Sequence, residues 1–339
     1  MGISLKTHKI LWGKSGNKCS FPDCKIDLVM DESETDDPSI IGEEAHIVAR
    51  KKNGPRGESE LTGEQRDRYN NLILLCSIHH KLVDDQKNKY TIDILNQYKR
   101  EHEHWVSQNL SLDKIKERDE IIYAGYIDTI IELADVNSWK AWTSYVFGGS
   151  SPTMNNKTIR NLRKLIEFIL SRVWPKRYPK LEIAIINFKN VTNEFLSVFD
   201  KYVERDRSSS KGKEDFMVYT EKFYRIGDWD TERYNDLLNK YKYHCLLVED
   251  LLLEMTRAIN HIFDLVRLHL FPSFRINEGV LLIEIGPFSD LSWRTYRTEY
   301  KQEELEILYP GLRKFMDIRE KRDQSRGQGI NEDYFPKTY

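Results

Sequence analysis

Residues 70–86 read NNLILLCSIHHKLVDDQ, and a change of pattern inside them decides how the first third of the chain folds. Leu72 to Cys76 form an unbroken apolar run of strand length, the pattern of a strand covered on both faces. From Ser77 the segment reads as a helix, in which Asp84 follows His80 by four residues and shares its face. Working outward, IIGEEAHIVA (40–49) is a second strand-like run, and RKKNGPRGESELTGEQ (50–65) is a Gly- and charge-rich loop between the two strands. Before them come a short helix over SLKTHKILWGK (4–14), a turn-rich knuckle leading into a strand over NKCSFPDCKIDLV (17–29) and an acidic loop over DESETDDPS (31–39). After them, TIDILNQYKREHEHWVSQNL (91–110) closes the unit as a helix with Thr91 as its N-cap.

Three of the four cysteines, Cys19, Cys24 and Cys76, lie in the first quarter of the chain. Cys19-x4-Cys24 and Cys76-x2-His79 form two short-spaced pairs, and short spacings let backbone turns aim both side chains at one point. The chain is expected to be cytoplasmic, where structural disulfides are not kept, so the pairs predict a closed structural zinc site on Cys19, Cys24, Cys76 and His79. The alternative, that these cysteines are simple buried small residues, does not account for the paired spacing.

Composition bounds the rest. The chain has 339 residues, 40% apolar and 31% charged, which describes a foldable protein long enough for two domains. No membrane span, secretory signal or myristoylation site is expected. Net charge is −2, and residues 1–110 carry 16 Lys plus Arg against 18 Asp plus Glu. That balance argues against a protein that coats nucleic acid tightly, so any DNA contact must come from local basic clusters and be salt-sensitive.

EEAHIVARKKNGPRG (43–57) and NNLILLCSIHHKLVDD (70–85) resemble the two halves of the HNH endonuclease motif. The resemblance covers about residues 5–108 and implies a ββα-metal fold, a divalent ion such as Mg2+, DNA as partner and phosphodiester hydrolysis. It makes His46 the general base, a role suited to imidazole near neutral pH. Asn71 matches the central asparagine that orders the loop, and His80 the final histidine, a ligand of the catalytic ion. The residue before the base, which the family commonly fills with Asp or His as a second ligand, is Ala45 here. Glu44 and Asp84 are the candidates to replace it, with Glu43 behind them. His79 and His80 are adjacent and should point apart, one to zinc and one to the catalytic ion. Arg50, Lys51, Lys52 and Arg56 follow the base in a loop made pliable by Gly54 and Gly57. They are candidates for gripping phosphate, with a plain solvated loop as the alternative.

After the charged stretch SLDKIKERDE (111–120) the composition changes, and residues 120–272 read as helical and rich in aromatics. Apolar residues at alternating three and four spacings run from Leu181 to Tyr202 and from Leu238 to Val266, predicting two long helices in an antiparallel bundle, with a second chain as a candidate to complete it. Trp139, Trp142, Trp174, Trp229 and Trp293 read as bundle core, and Cys245, on the second seam, as packing. GVLLIEIG (279–286) is β-like, helices follow near 301–308 and 311–323, and the tail from 324 reads as flexible. The expected fold is therefore α+β: a zinc-stapled ββα-metal domain over 1–112, a mainly α-helical domain with a short β segment over 113–323, and a tail over 324–339.

Three readings of function follow. The first, which the resemblance to bacterial anti-phage HNH effectors favours, is a DNA endonuclease switched on by assembly into a homo-oligomer, by a signal or by a second defence-system protein. The second is a restriction-type nuclease whose C-terminal region reads DNA. The third is a non-catalytic HNH interaction module.

Overall fold

The computed structural model describes residues 2–30, 39–109, 114–149, 151–205, 216–227 and 230–336. The expected acidic loop lies outside them except for Ser39, as does Trp229. In chain order the elements are α1 (Leu5–Ser15), β1 (Val29–Met30), β2 (Ser39–Ile40), β3 (Gly42–His46), α2 (Gly63–Arg66), β4 (Leu72–Cys76), α3 (Ser77–Asp85), α4 (Ile92–Asn109), α5 (Lys114–Leu133), α6 (Trp139–Phe147), β5 (Thr153–Asn155), α7 (Asn156–Leu170), α8 (Pro179–Asp200), β6 (Val203–Arg205), β7 (Met217–Thr220), α9 (Thr231–His269), β8 (Leu282–Ile285), β9 (Arg294–Arg297) and α10 (Leu312–Ile318). They form an α+β chain that divides into two compact units.

The first unit spans Met1–Asp128 and takes back Leu270–Ser273, so it runs further than the expected limit at residue 112. At its centre β3 and β4 pair antiparallel, with Gly42 opposite Cys76 and His46 opposite Leu72. All five residues of β4 are buried, because α1, α3 and α4 each pack against this strand. Burying an Ile or Leu this completely contributes about 1.5–3 kcal/mol, so the run Leu72–Leu75 anchors the hairpin. The chain passes directly from β4 into α3, with Cys76 extended at the N-cap. α1 starts at the cap Ser4, whose hydroxyl accepts from the Thr7 amide, and the Asp128 carboxylate accepts from the amides of Leu5 and Lys6 at 3.0 Å each. A carboxylate there satisfies orphan donors and faces the positive end of the helix. α1 ends at Gly16, whose left-handed φ of 58° turns the chain toward the cysteine knuckle.

The second unit comprises Thr129–His269 and Phe274–Tyr339. α8 and α9 cover the two predicted seams and pack chiefly on each other. Tyr178 at the head of α8 stacks on His269 at the foot of α9, with ring centroids 4.8 Å apart. Tyr202, just past α8, meets His244 edge-on at 5.0 Å. The pair is thus antiparallel, and Phe188, Val191, Phe195, Leu252, Ile259 and Ile262 are buried within one chain. The seam that suggested a second chain is filled internally.

Several expectations for this unit change. β5, β7 and β6 form an antiparallel three-stranded sheet in that order where only helix was expected, since strands of three or four residues are too short to leave a period in the sequence. The helix expected near 301–308 is a single 3-10 turn over Gln302–Glu304. Trp139 and Trp142 are core, but Trp293 is exposed and Trp174 half-buried.

The tail, expected to be flexible, is docked as far as residue 336. The amides of Arg326 and Gly327 donate to the buried Asp250 carboxylate at 2.6 and 3.0 Å, and the Tyr334 hydroxyl is hydrogen-bonded to His244 Nδ1 at 2.7 Å. Its composition is polar because it binds by hydrogen bonds to buried charges on α9 rather than by apolar area.

Candidate active site and metal centre

The knuckle is built by local backbone strain. Cys24 closes a turn on Phe21, its amide donating to Phe21 O at 3.2 Å, and Asp23 and Lys25 take left-handed φ values of 64° and 50°, which cost side-chain-bearing residues energy. The outcome is convergence. The ligand atoms of Cys19, Cys24, Cys76 and His79 all lie within 4.8 Å of one another. His79 Nδ1 is 3.2 Å from Cys76 Sγ and 3.6 Å from Cys19 Sγ. A tetrahedral zinc with its usual Zn–S and Zn–N bonds sets such edges at roughly 3.5 Å, so the donor set fits that ion. The Cys76 amide points at Cys19 Sγ at 3.3 Å, and Phe21 stacks on the His79 ring at 4.0 Å and 5°, fixing its plane. Burial pushes the Cys19 thiol up to about 12 and lowers the His79 pKa. A buried thiol set of this kind holds charge only beside a cation. Among the described residues this is the one group of three or more potential ligands that converges.

His79 and His80 do diverge. His80 Nδ1 meets Glu43 Oε2 across from β3, and its Nε2 lies 3.5 Å from Asp84 Oδ2 on the same face of α3. The hydrogen bond with Asp84, followed by the one with Glu43, raises the His80 pKa against the opposing effect of burial. For Asp84, burial pushes upward, but His80 and Arg56 together outweigh it and the carboxyl lies below its ordinary range. Glu44, one residue along β3, points the other way, as strand alternation requires. Its Oε1 is held by His8 Nδ1 and by Trp12 Nε1 at 2.9 Å, both on α1. The carboxylate beside His80 is therefore Glu43, the residue ranked behind Glu44 from sequence, and Ala45 is buried core.

His46 ends β3 with its Nε2 3.1 Å from Asp67 Oδ1, and Asp67 Oδ2 is 3.3 Å from Arg50 Nη2. Sequence reasoning passed over Asp67. Its signal was the box Thr62-x-x-Gln65 two residues earlier, which nucleates α2 by reciprocal capping and makes Asp67 the residue where that turn ends. Asn71 is buried and fully used: Oδ1 accepts from the Val48 amide at 2.9 Å, while Nδ2 donates to Val48 O at 2.8 Å and Arg66 O at 2.9 Å. It clamps the chain just past His46 to the chain just before Asp67.

The basic loop is knitted rather than pliable. Buried Arg66 donates to the carbonyls of Leu61, Ala49, Gly57 and Ser59 at 2.5–3.1 Å. A Cβ on Gly57 would stand 2.4 Å from Lys52 O, so this glycine allows a close backbone crossing. Arg56 turns inward: its side chain is 4% exposed, with Nε and Nη1 donating to Ile47 O and Val83 O and Nη2 to Asp84 at 2.7 Å. It is spent on the protein and not on a phosphate. Lys51 and Lys52 are exposed and Arg50 is 54% exposed. Lys52 lines, with Lys87 and Thr91, a cleft of about 640 Å³.

Residues 24–87 match the sequence model of a family described as HNH endonuclease, and no curated protein matches the chain. The matched stretch contains His46, Asn71, Cys76, His79 and His80. The first unit thus carries an HNH-type domain whose Cys3His cluster fits the zinc-stapled form, and the match supports nuclease activity in general.

Proposed function

We propose that the first unit is a metal-dependent DNA endonuclease in which His46 takes a proton from the water that attacks a phosphodiester phosphorus. The observation that carries this is the pairing of His46 with a nearly buried carboxylate at the end of β3, on the same hairpin whose α3 presents a His80–Asp84 pair. The protein groups have distinct tasks. His46 accepts the water proton; the bond from phosphorus to the leaving oxygen then breaks, and that oxygen is protonated from solvent. His80 Nε2 and Asp84 would hold a divalent ion, which when bound neutralises charge on the phosphate oxygens. Glu43, on the other ring nitrogen of His80, orients the imidazole in the way a carboxylate orients a metal-binding histidine. Arg56 keeps Asp84 ionised and aimed, while Arg50, Lys51 and Lys52 supply the local positive charge for DNA. The Cys3His cluster has four protein donors and so offers zinc a closed structural seat, with the chemistry placed at His80.

Incubating the full chain with supercoiled plasmid and Mg2+, Mn2+ or Ni2+ tests this. Nicking is expected in at least one metal, and His46→Ala should lose about 10²- to 10⁴-fold, the usual contribution of a positioned general base. Cleavage by the variant at the wild-type rate would overturn the role of His46, and a wild type inert with every metal would overturn the activity.

The finer reading is a defence effector controlled through the second unit by a signal or a partner protein. It extends the resemblance of residues 43–57 and 70–85 to bacterial anti-phage HNH effectors, in which a non-catalytic partner domain senses a signal or assembles subunits. Light scattering with and without DNA tests for controlled assembly, and a single unchanging mass would remove assembly as the switch.

A further inference from the structure

Asp67 has a side chain with few obligations. Its backbone is fixed independently, the amide donating to Glu64 O at 3.2 Å, and its neighbour Arg66 is pinned through its guanidinium to four carbonyls and through its own carbonyl to Asn71. Among the described residues the carboxylate caps no amide. Its two oxygens go to His46 Nε2 at 3.1 Å and to Arg50 Nη2 at 3.3 Å, and it is only 12% exposed. A group held this firmly, yet used among the described residues on two side chains, is placed for those side chains.

An ionised carboxylate can only accept a hydrogen bond, and a neutral imidazole carries a single proton. The contact therefore puts the proton of His46 on Nε2 and leaves the lone pair on Nδ1. His46 Nδ1 has no partner among the described residues, and the ring is 21% exposed, enough for a water to reach it. When Nδ1 takes a proton the ring becomes a cation, and the adjacent carboxylate stabilises that charge, as in other carboxylate–histidine pairs.

We infer that Asp67 is the positioning residue for His46, fixing the Nε2–H tautomer so that Nδ1 is the atom that accepts the proton of the attacking water. Arg50 has a second task in this arrangement. It holds the far oxygen of Asp67 and so sets the plane of the carboxylate, which gives this residue of the basic loop a role at the base as well as toward phosphate. The inference rests on the proposed nuclease activity for its catalytic consequence, but the tautomer itself does not.

The test uses the full chain as purified: spectra are recorded with no divalent metal added, and nicking is measured with Mg2+, Mn2+ or Ni2+. Long-range proton–nitrogen spectra of ¹⁵N-histidine-labelled protein, assigned with His46→Ala and recorded above the ordinary histidine titration range, should show a pyrrole-type Nε2 and a pyridine-type Nδ1 for His46. In Asp67→Ala the ring should move to a mixture of tautomers, and kcat for plasmid nicking should fall about 10- to 100-fold, the usual cost of losing a residue that orients a working histidine, with KM changed less than about threefold. Asp67→Asn keeps the shape of the side chain, so a lowered kcat at an unchanged melting temperature separates the loss from misfolding. A wild-type ring protonated on Nδ1, or Asp67→Ala turning over at the wild-type rate, would sink the inference. If the wild type cuts nothing in any metal, the nuclease reading fails while the spectra still decide the role of Asp67.

Discussion

Replacing Asn71 by Asp changes one atom, and the structure says what that atom must do. Nδ2 donates to two carbonyls, Val48 O at 2.8 Å and Arg66 O at 2.9 Å, while Oδ1 accepts from the Val48 amide. In Asn71→Asp the accepting bond survives, but an oxygen replaces the donor and faces two carbonyl oxygens at contact distance. Two hydrogen bonds, each worth about 1 kcal/mol net, are lost, and each carbonyl is left without its donor at a further cost of about 1 kcal/mol or more. The sum is about 3–5 kcal/mol of local stability at pH 7, or roughly a 10²- to 10⁴-fold loss of protection. The sign of the pH dependence follows. The buried carboxyl is disfavoured as an anion, so its folded-state pKa lies above the unfolded value of about 3.9. The penalty is therefore small below that value and grows as pH rises through the folded-state pKa. Hydrogen exchange followed by mass spectrometry on the peptides spanning residues 46–71 reads this region without requiring the two units to unfold together. Wild-type protection of those peptides at pH 7 in Asn71→Asp would refute the reasoning, and so would a deficit that deepens on acidification.

Two further outcomes follow from the structure. Cys24→Ser removes one corner of the Cys3His cluster, and bound zinc should fall from about one per chain to a small fraction in a metal assay, with exchange protection lost first across the knuckle and the start of α3. Full retention of zinc would show that Cys24 is not a ligand. In the second unit, burial first and then Lys201 push His244 down to about 4. A histidine depressed in the fold stabilises it fully above the unfolded value of about 6.5, and that stability is lost as pH falls toward 4, about 3 kcal/mol over the window. The difference in melting temperature between wild type and His244→Gln should therefore shrink between pH 7 and 4, and a constant difference would show that His244 does not titrate in that window.

Much of the first unit was legible because its determinants are local. A five-residue apolar run followed at once by a helical segment specifies strand into helix. Paired cysteine spacings specify a knuckle, and both survive in the structure as β4, α3 and the Cys3His cluster. The same holds for the seams of α8 and α9, whose periodicity extends over many turns. The short strands β5, β6 and β7 are too brief to show a period, and the tail docks through hydrogen bonds to buried charge, which polar composition does not reveal.

The chemistry-bearing residue types and their spacing were thus set by the sequence alone: His46 at a strand end, Asn71 before the apolar run, His79 and His80 on one helical turn. Which carboxylate serves which histidine was decided only by tertiary structure. Pleat alternation sends Glu43 to His80 and Glu44 to His8 and Trp12, and a two-register choice of that kind depends on which face the helix covers. Arg56 lies six residues after Arg50, yet it sits in a left-handed turn (φ 53°) and is buried on Asp84, while Arg50 stays at the surface. Asp67 reaches His46 across a sequence separation of 21 that includes α2, and a contact closed by Arg66 and Asn71 through backbone carbonyls leaves no pattern in the order of the amino acids.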